Sequence, residues 1–237
     1  MTQIATPHPR LVFDLNDLWS LVDEMTREFD PAPLPPVMGG GETNKPRLAL
    51  IFINPTHRNA STKEGWSGPR FPFIGTKAVW RVLGNAGLLS AELVDMISGR
   101  ERWDEEFAEE VYAAVRSEGL YLTNLVKWTG PNGDLPSRQL IELYADVLRR
   151  ELELVGPRGI VAFGGMPYRA LTGRDVKLGE VLANLRHAGD PFYAIDGALG
   201  VPVYPCYFPV GRGNPKGAAE ILSAVNRKSI ADARVGG

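Results

Sequence analysis

The stretch from Leu48 to His57 constrains this chain more than any other, because a continuous apolar run ends there in a polar turn fixed by proline. The apolar residues predict a strand over residues 47–53 that is buried on both faces, as the strands of parallel sheets are. The strand stops at Asn54-Pro55, which puts a side-chain amide at the rim of the sheet. Ligands of open α/β sheets bind beyond the carboxyl ends of the strands, so Asn54 is the first candidate for chemistry.

Strand patterns and helix patterns alternate along the rest of the chain. Further strands are predicted over Leu120–Val126 and Gly159–Phe163. Two more segments, Phe192–Ile195 and Val201–Tyr204, are predicted to form either a hairpin-like pair or a fringe strand followed by the last core strand. Helices are predicted over 15–29, from 76 onward, over 104–115, from 137 to 154, before 173, and from 215 to 225. This alternation predicts an α/β fold with a mainly parallel sheet covered on both faces.

A chain of 237 residues fits one large α/β domain. Residues 1–46 are expected to form an N-terminal helix and a Pro/Gly-rich tether that pack on a main domain over 47–237. The tether contains too many helix and strand breakers to form a regular element. The single Cys206 excludes a disulfide framework and a cysteine-ligated cluster within the chain. Without an apolar run of signal-peptide or membrane-spanning length, we expect a cytoplasmic location.

Polar residues follow three of the predicted strands. Asn54 ends the first, Asn124 ends the second, and the loop 212–214 follows the last. A parallel sheet brings such strand ends to one edge, so one crevice is expected to hold all three. The chain lacks a serine nucleophile motif, a Walker loop and metal-ligand spacing, which leaves a site of amides, aromatic faces and backbone donors. Such a site suits the binding of a flat polar ring.

The ordered set of these motifs resembles the uracil-DNA glycosylase superfamily over most of the chain, from about Leu48 to Val225. The motifs are Ile53-Asn54-Pro55, Pro72-Phe73-Ile74-Gly75, Tyr121 to Lys127, Ile160 to Gly164, and the loop Pro209 to Asn214. The resemblance implies a three-layer α/β/α fold around a four-stranded, mainly parallel sheet. It also implies excision of uracil, and of related deaminated bases, from DNA in base-excision repair, by a monofunctional glycosylase that needs no metal or cofactor.

The resemblance assigns roles to individual residues. Asn54 matches the residue that positions the attacking water, Phe73 the aromatic that stacks on the flipped base, and Asn124 the amide that pairs with the uracil edge. Thr56 stands where one branch carries a bulky tyrosine that excludes thymine, which implies weaker exclusion of thymine here. Phe208 stands where the family has a histidine or asparagine that helps the base depart, and His57 is the candidate substitute.

DNA contacts are expected from the terminal loop and from basic residues around the crevice. The residues predicted to contact DNA are Arg70, Lys127, Arg212, Asn214 and Lys216. A basic face at this edge is compatible with the net charge of -2, although charges at loop ends are equally often only solvated. The expected partner is uracil-containing DNA, bound by a monomer associated with the nucleoid. The alternative function is a damaged-DNA-binding module of the same fold with little or no catalysis.

Overall fold

The centre of the protein is a mixed sheet, seen in a computed structural model that describes residues 12–30, 33–211 and 213–235. The strands of the described residues are β1 (Gly40–Gly41), β2 (Leu48–Phe52), β3 (Leu120–Asn124), β4 (Ile160–Phe163), β5 (Ala194–Ile195) and β6 (Pro202–Cys206). Their order is β1-β3-β2-β4-β6-β5. The inner four strands are parallel, and β1 and β5 are short antiparallel edge strands. The predicted parallel four-stranded centre is therefore confirmed.

Helices cover both faces of this sheet, as the alternating pattern predicted. The helices are α1 (Leu15–Phe29), α2 (Ala78–Asn85), α3 (Ala91–Gly99), α4 (Glu105–Ser117), α5 (Arg138–Val155), α6 (Gly165–Thr172), α7 (Leu178–Ala188) and α8 (Pro215–Val235). One core cluster joins the sheet to α2, α3, α4, α7 and α8. The other joins it to α1, α5 and α6, which completes the predicted three-layer α/β/α architecture.

Strand β2 lies at the centre because every one of its side chains is apolar and buried. Leu48, Leu50 and Phe52 enter one core cluster, and Ala49 and Ile51 enter the other. This division follows from the two-residue period of a strand, which sends successive side chains to opposite faces. A strand of this kind needs a helical layer on each side.

Helix α5 begins and ends where the sequence predicted. The Ser137 hydroxyl accepts a hydrogen bond from Leu140 N at 3.2 Å, which satisfies one of the free N–H groups of the first turn. Gly156 ends the helix in the left-handed conformation, with φ of 61°. The resulting direction of α5 packs it against α1 and α6.

The N-terminal segment is tied to the main domain at several points. Helix α1 packs on α5, where Thr26 Oγ1 and Tyr144 Oη lie 2.9 Å apart. The expectation that the tether contains no regular element is wrong for Gly40–Gly41, which pairs with β3 through main-chain bonds that need no side chains. The division of the chain at residue 46 stays a prediction.

Candidate functional site

A pocket of about 440 Å³ opens at the carboxyl edge of the sheet. It brings together Asn54, Thr56, Phe73 and Asn124, four residues that the sequence predicted to share a site. Its other walls come from the loop after β2, the start of α2 and the loop after β6, contributed by Pro55, Arg58, Asn59, Pro72, Thr76, Lys77, Ala78, Val79, Phe208, Val210 and Gly211. The pocket has the size of a small-molecule site and has mostly apolar walls.

Asn124 carries the clearest sign of a binding function. It ends β3 opposite Phe52 of β2, and its side chain is 1% exposed. Its amide nitrogen Nδ2 is buried and has no hydrogen-bond partner among the described residues. An unsatisfied buried donor costs about 1–3 kcal/mol, so it is expected where a ligand supplies the missing acceptor.

Asn54 is held in one orientation by its neighbours. Its Nδ2 donates to the carbonyl oxygens of Pro55 and Asp134, both at 3.0 Å. Both amide hydrogens are thereby used. The carbonyl oxygen Oδ1 remains to accept a hydrogen bond, and an atom of this kind can orient a water molecule but cannot take up its proton at neutral pH.

Phe73 has a strained backbone. Its φ is +62°, a left-handed conformation that costs a residue other than glycine about 1–3 kcal/mol. Its carbonyl oxygen accepts hydrogen bonds from Thr76 N at 3.1 Å, Thr76 Oγ1 at 2.9 Å and Trp80 Nε1 at 3.2 Å. The ring packs edge-on against Phe52, with centroids 4.5 Å apart. These contacts fix the aromatic ring at the pocket wall.

A buried polar network lies directly behind Asn124. Lys127 Nζ donates to the Asn124 carbonyl oxygen and to Thr123 Oγ1, each at 2.6 Å, and forms an ion pair with Glu151 of α5. Glu151 Oε1 also accepts hydrogen bonds from the hydroxyls of Tyr121 and Thr123, both at 2.8 Å. Burial lowers the pKa of Lys127, and the facing Glu151 carboxylate opposes that shift. The network fixes the main chain that carries Asn124.

Lys127 therefore cannot contact DNA as the sequence analysis expected. Its side chain has no exposed surface, and its charge is balanced by Glu151. Arg70 is also engaged, since both terminal nitrogens of its guanidinium bind the Asp23 carboxylate of α1 at 2.7 and 2.9 Å. Both residues hold the fold together, and neither presents a free positive charge.

The remaining predicted site residues differ in their positions. His57 is exposed and does not line the pocket, and its backbone N–H donates to the Gly130 carbonyl oxygen at 3.2 Å. Asn214 begins α8, where its Oδ1 accepts from Gly217 N at 2.9 Å. Lys216 is exposed on the first turn of α8. Arg212 lies outside the described residues.

Sequence reasoning missed the contribution of α2. Thr76 and Lys77, just before this helix, and Ala78 and Val79, its first residues, line the pocket. Lys77 is the N-cap residue, and its ammonium group has no acceptor to offer to the first-turn N–H groups; its Nζ donates to the Ser98 carbonyl oxygen at 2.7 Å. The first-turn N–H groups of α2, which have no partner within the helix, face a position where negative charge is favoured.

No group of three or more His, Cys, Asp or Glu side chains in residues 12–30, 33–211 and 213–235 could hold a metal ion. Over the same ranges, no helix has both the length and the apolar character that crossing a membrane requires.

Two comparisons with known proteins indicate the family of this chain. The model of the family described as the uracil DNA glycosylase superfamily matches residues 38–227. A type-5 uracil-DNA glycosylase from Pyrobaculum aerophilum is 32% identical over 129 residues, which cover 52% of this chain and 53% of the relative. The alignment thus spans about half the length of that protein. The match of the family model begins two residues before β1 and includes the pocket.

Proposed function

Because the chain belongs to the uracil DNA glycosylase superfamily, we propose that it hydrolyses the N-glycosidic bond of uracil in DNA and releases the free base. The observation that carries the proposal is the buried Nδ2 of Asn124, which has no partner among the described residues and belongs to a residue that lines the pocket. A flipped base is the group that would supply the acceptor, since an enzyme that acts on a base must take it out of the stack.

Uracil fits an amide in this position. Nδ2 of Asn124 donates to uracil O4 while Oδ1 accepts from N3–H, so both partners are satisfied. Cytosine presents an amino group in place of O4, which would leave two donors facing each other. Phe73 supplies a rigid stacking surface worth about 1–3 kcal/mol for any base. The discrimination therefore comes from Asn124 and the affinity partly from Phe73.

Asn54 would prepare the attacking water. Its fixed Oδ1 accepts a hydrogen bond from water and orients the oxygen toward C1′ of the sugar. The C1′–N1 bond breaks with its electron pair moving to the base, and water adds to the cationic C1′ and then releases a proton to solvent. Because a side-chain amide is not a base at neutral pH, Asn54 contributes position and not proton abstraction.

The departing base carries negative charge that needs stabilisation. Phe208 offers no side-chain donor, and His57 is exposed beyond the pocket lining. We assign this role to the N–H groups at the start of α2, whose residues Ala78 and Val79 line the pocket. Fixed backbone donors stabilise a developing anion without reorganisation, and the helix dipole adds to their effect.

Other deaminated bases belong to the same proposal. Hypoxanthine presents an adjacent carbonyl oxygen and ring N–H, the same pair of groups that Asn124 meets in uracil. The pocket walls are mostly apolar, and apolar walls do not by themselves distinguish a purine from a pyrimidine. We therefore expect slower excision of hypoxanthine beside excision of uracil.

The second candidate function is binding of damaged DNA without excision. It is favoured by Phe208, which lines the pocket at the position where a polar side chain would assist departure of the base. In that case uracil-containing DNA binds in a salt-dependent manner, and no free base appears at any protein concentration.

A base-release assay separates these functions. The protein is incubated with single-stranded and with duplex oligonucleotides that contain one uracil, and free uracil and alkali-labile sites are quantified. We expect both products. Asn124→Ala and Asn54→Ala should abolish most of the rate, whereas Asn226→Leu, a change outside the pocket, should leave the rate per folded molecule unchanged. Binding without free uracil from either DNA would refute the glycosylase and support the binding module.

A further inference from the structure

A second cavity, of about 420 Å³, adjoins the base pocket. Arg58 lines both of them, and Lys63, Trp66, Arg102 and Trp103 are among the other residues that line the second cavity. None of the last four lines the base pocket. The shared Arg58 places the two cavities side by side.

The charge of this cavity is available to a ligand. Arg58, Lys63 and Arg102 are exposed, and none of them forms an ion pair within the described ranges. The carboxylates of Glu64 and Glu101 also line the cavity, so its cations outnumber its anions by one. Cations without a salt-bridge partner are the ones that can exchange counterions for DNA phosphates.

The two tryptophans add a second and independent observation. Trp103 is buried, and its ring stacks on Trp80 and packs edge-on against Phe107, so it forms a rigid part of the cavity wall. The Nε1 of Trp66 is already used by the Pro69 carbonyl oxygen at 3.0 Å, which leaves its ring as an apolar surface for a sugar or base.

We infer that this cavity binds the nucleotide next to the flipped one, with its phosphate near Arg58, Lys63 and Arg102 and its sugar or base against Trp66. The inference rests on the proposed function, since it places the flipped nucleotide in the adjoining pocket. It assigns a role in gripping the strand to Arg58, Lys63, Arg102 and Trp66. The grip supplies affinity without reading sequence, because its contacts are with the backbone and with an aromatic face.

The test compares Lys63→Gln/Arg102→Gln with the unchanged protein and with Arg227→Gln. Arg227 is the control, an exposed residue of α8. Its neighbour Asn226 accepts a hydrogen bond at Oδ1 from Arg47, which lies just before β2, so Arg227 lies at the opposite edge of the sheet. The probe is a labelled single-stranded oligonucleotide with one 2′-fluoro-deoxyuridine, a nucleotide that resists cleavage, and binding is measured by anisotropy. Each phosphate contact contributes about -0.7 to the salt slope of single-strand binding.

Loss of two contacts should make the slope less steep by about 1.4, so the loss of affinity between 50 and 200 mM salt should be about sevenfold smaller in the double variant. Arg227→Gln should keep the full slope. Shortening the strand on one side of the probe should weaken binding to the unchanged protein, whereas the double variant should be insensitive to shortening on that side. An unchanged salt slope in the double variant, or equal sensitivity to shortening in both proteins, would overturn the inference.

A kinetic readout distinguishes this site from the base pocket. On uracil-containing DNA the double variant should raise KM several-fold and leave kcat within twofold, because neither residue lines the pocket where the bond breaks. A fall in kcat with KM unchanged would overturn the strand-gripping role. Absence of base release by the unchanged protein would refute the proposed function alone, since the salt slope is measured without turnover.

Discussion

Replacement of Asn124 by leucine should increase stability and destroy activity at the same time. The side chain is 1% exposed and its Nδ2 has no partner among the described residues, so the folded protein carries the cost of a desolvated donor. Such a donor costs about 1–3 kcal/mol, and leucine of similar volume removes it. Taking the lower end, the free energy of unfolding rises by about 1 kcal/mol. The midpoint of thermal unfolding then rises by about 2–4 °C for a chain of this size.

The same substitution should lower kcat/KM for uracil by more than about 100-fold. Two hydrogen bonds to the base are lost, and the N3–H and O4 groups of uracil become buried without partners, which together cost about 3 kcal/mol. The assay pairs thermal unfolding with initial rates of uracil release. Both quantities come from one protein preparation.

Asn226 provides the matched control. It is also a buried asparagine, but its amide is fully engaged, with Nδ2 donating to Gly87 O at 2.7 Å and Oδ1 accepting from Arg47 Nη1 at 2.7 Å. Asn226→Leu should therefore lower the unfolding midpoint and preserve kcat. If Asn124→Leu destabilises the protein as much as Asn226→Leu does, the Asn124 amide is satisfied in the free protein and the reasoning is refuted.

Three further changes test other parts of the structure. Lys127→Met should destabilise the protein by about 3–5 kcal/mol in urea unfolding, because it leaves the buried Glu151 carboxylate unpaired. Adding Glu151→Leu should recover most of that loss, and a double variant no more stable than the single one would contradict this. Asn54→Ala should lower kcat about 100-fold with little change in KM, measured in single-turnover reactions, and equal changes in both would contradict a water-positioning role. Burial raises the pKa of the Cys206 thiol, so a thiol reagent at pH 8 should modify it only in denaturant, and rapid labelling of the folded protein would contradict this expectation. Because the thiol ionises more readily in the unfolded chain, stability should fall as pH rises above about 8.5, the ordinary thiol pKa.

The sequence predicts the centre of the fold because three of its four inner strands, β2, β3 and β4, have clear strand patterns. The apolar run of β2 cannot be placed on a surface, and the other three parallel strands follow from short apolar segments between helical patterns. The edge strand Gly40–Gly41 could not be predicted in this way, because it is held by main-chain pairing and has no side-chain pattern. Helix α8 continues to Val235, well past the predicted end at Val225. The prediction missed this part of the helix because residues 227–232 are mostly exposed and show no apolar period.

The candidate site could be predicted in part for a similar reason. Asn54 and Asn124 end neighbouring parallel strands, so topology alone brings them to one pocket. The burial of Lys127 depends on its ion pair with Glu151, which lies on a different element. In the sequence, Glu151 is typical of a solvated helix face. Likewise, the pairing of Arg70 with Asp23 of α1 depends on how a distant helix docks. Long-range ion pairs leave no local pattern in the sequence.

The role proposed for the start of α2 was equally hidden. It would come from backbone N–H groups, which every helix has and which no side chain caps at Lys77. Only the position of the helix beside the pocket gives these groups a function. Backbone donors at a site can therefore be recognised once the fold is known.

We propose that the pocket around Asn54, Phe73 and Asn124 releases uracil from DNA. The most direct measurement is the appearance of free uracil, resolved by chromatography, when the protein acts on an excess of oligonucleotide that contains one uracil. We expect several molecules of uracil per molecule of protein, with an equal number of alkali-labile sites in the DNA, and loss of both in Asn124→Leu. Absence of free uracil from both single-stranded and duplex DNA, with the protein folded and binding, would contradict it.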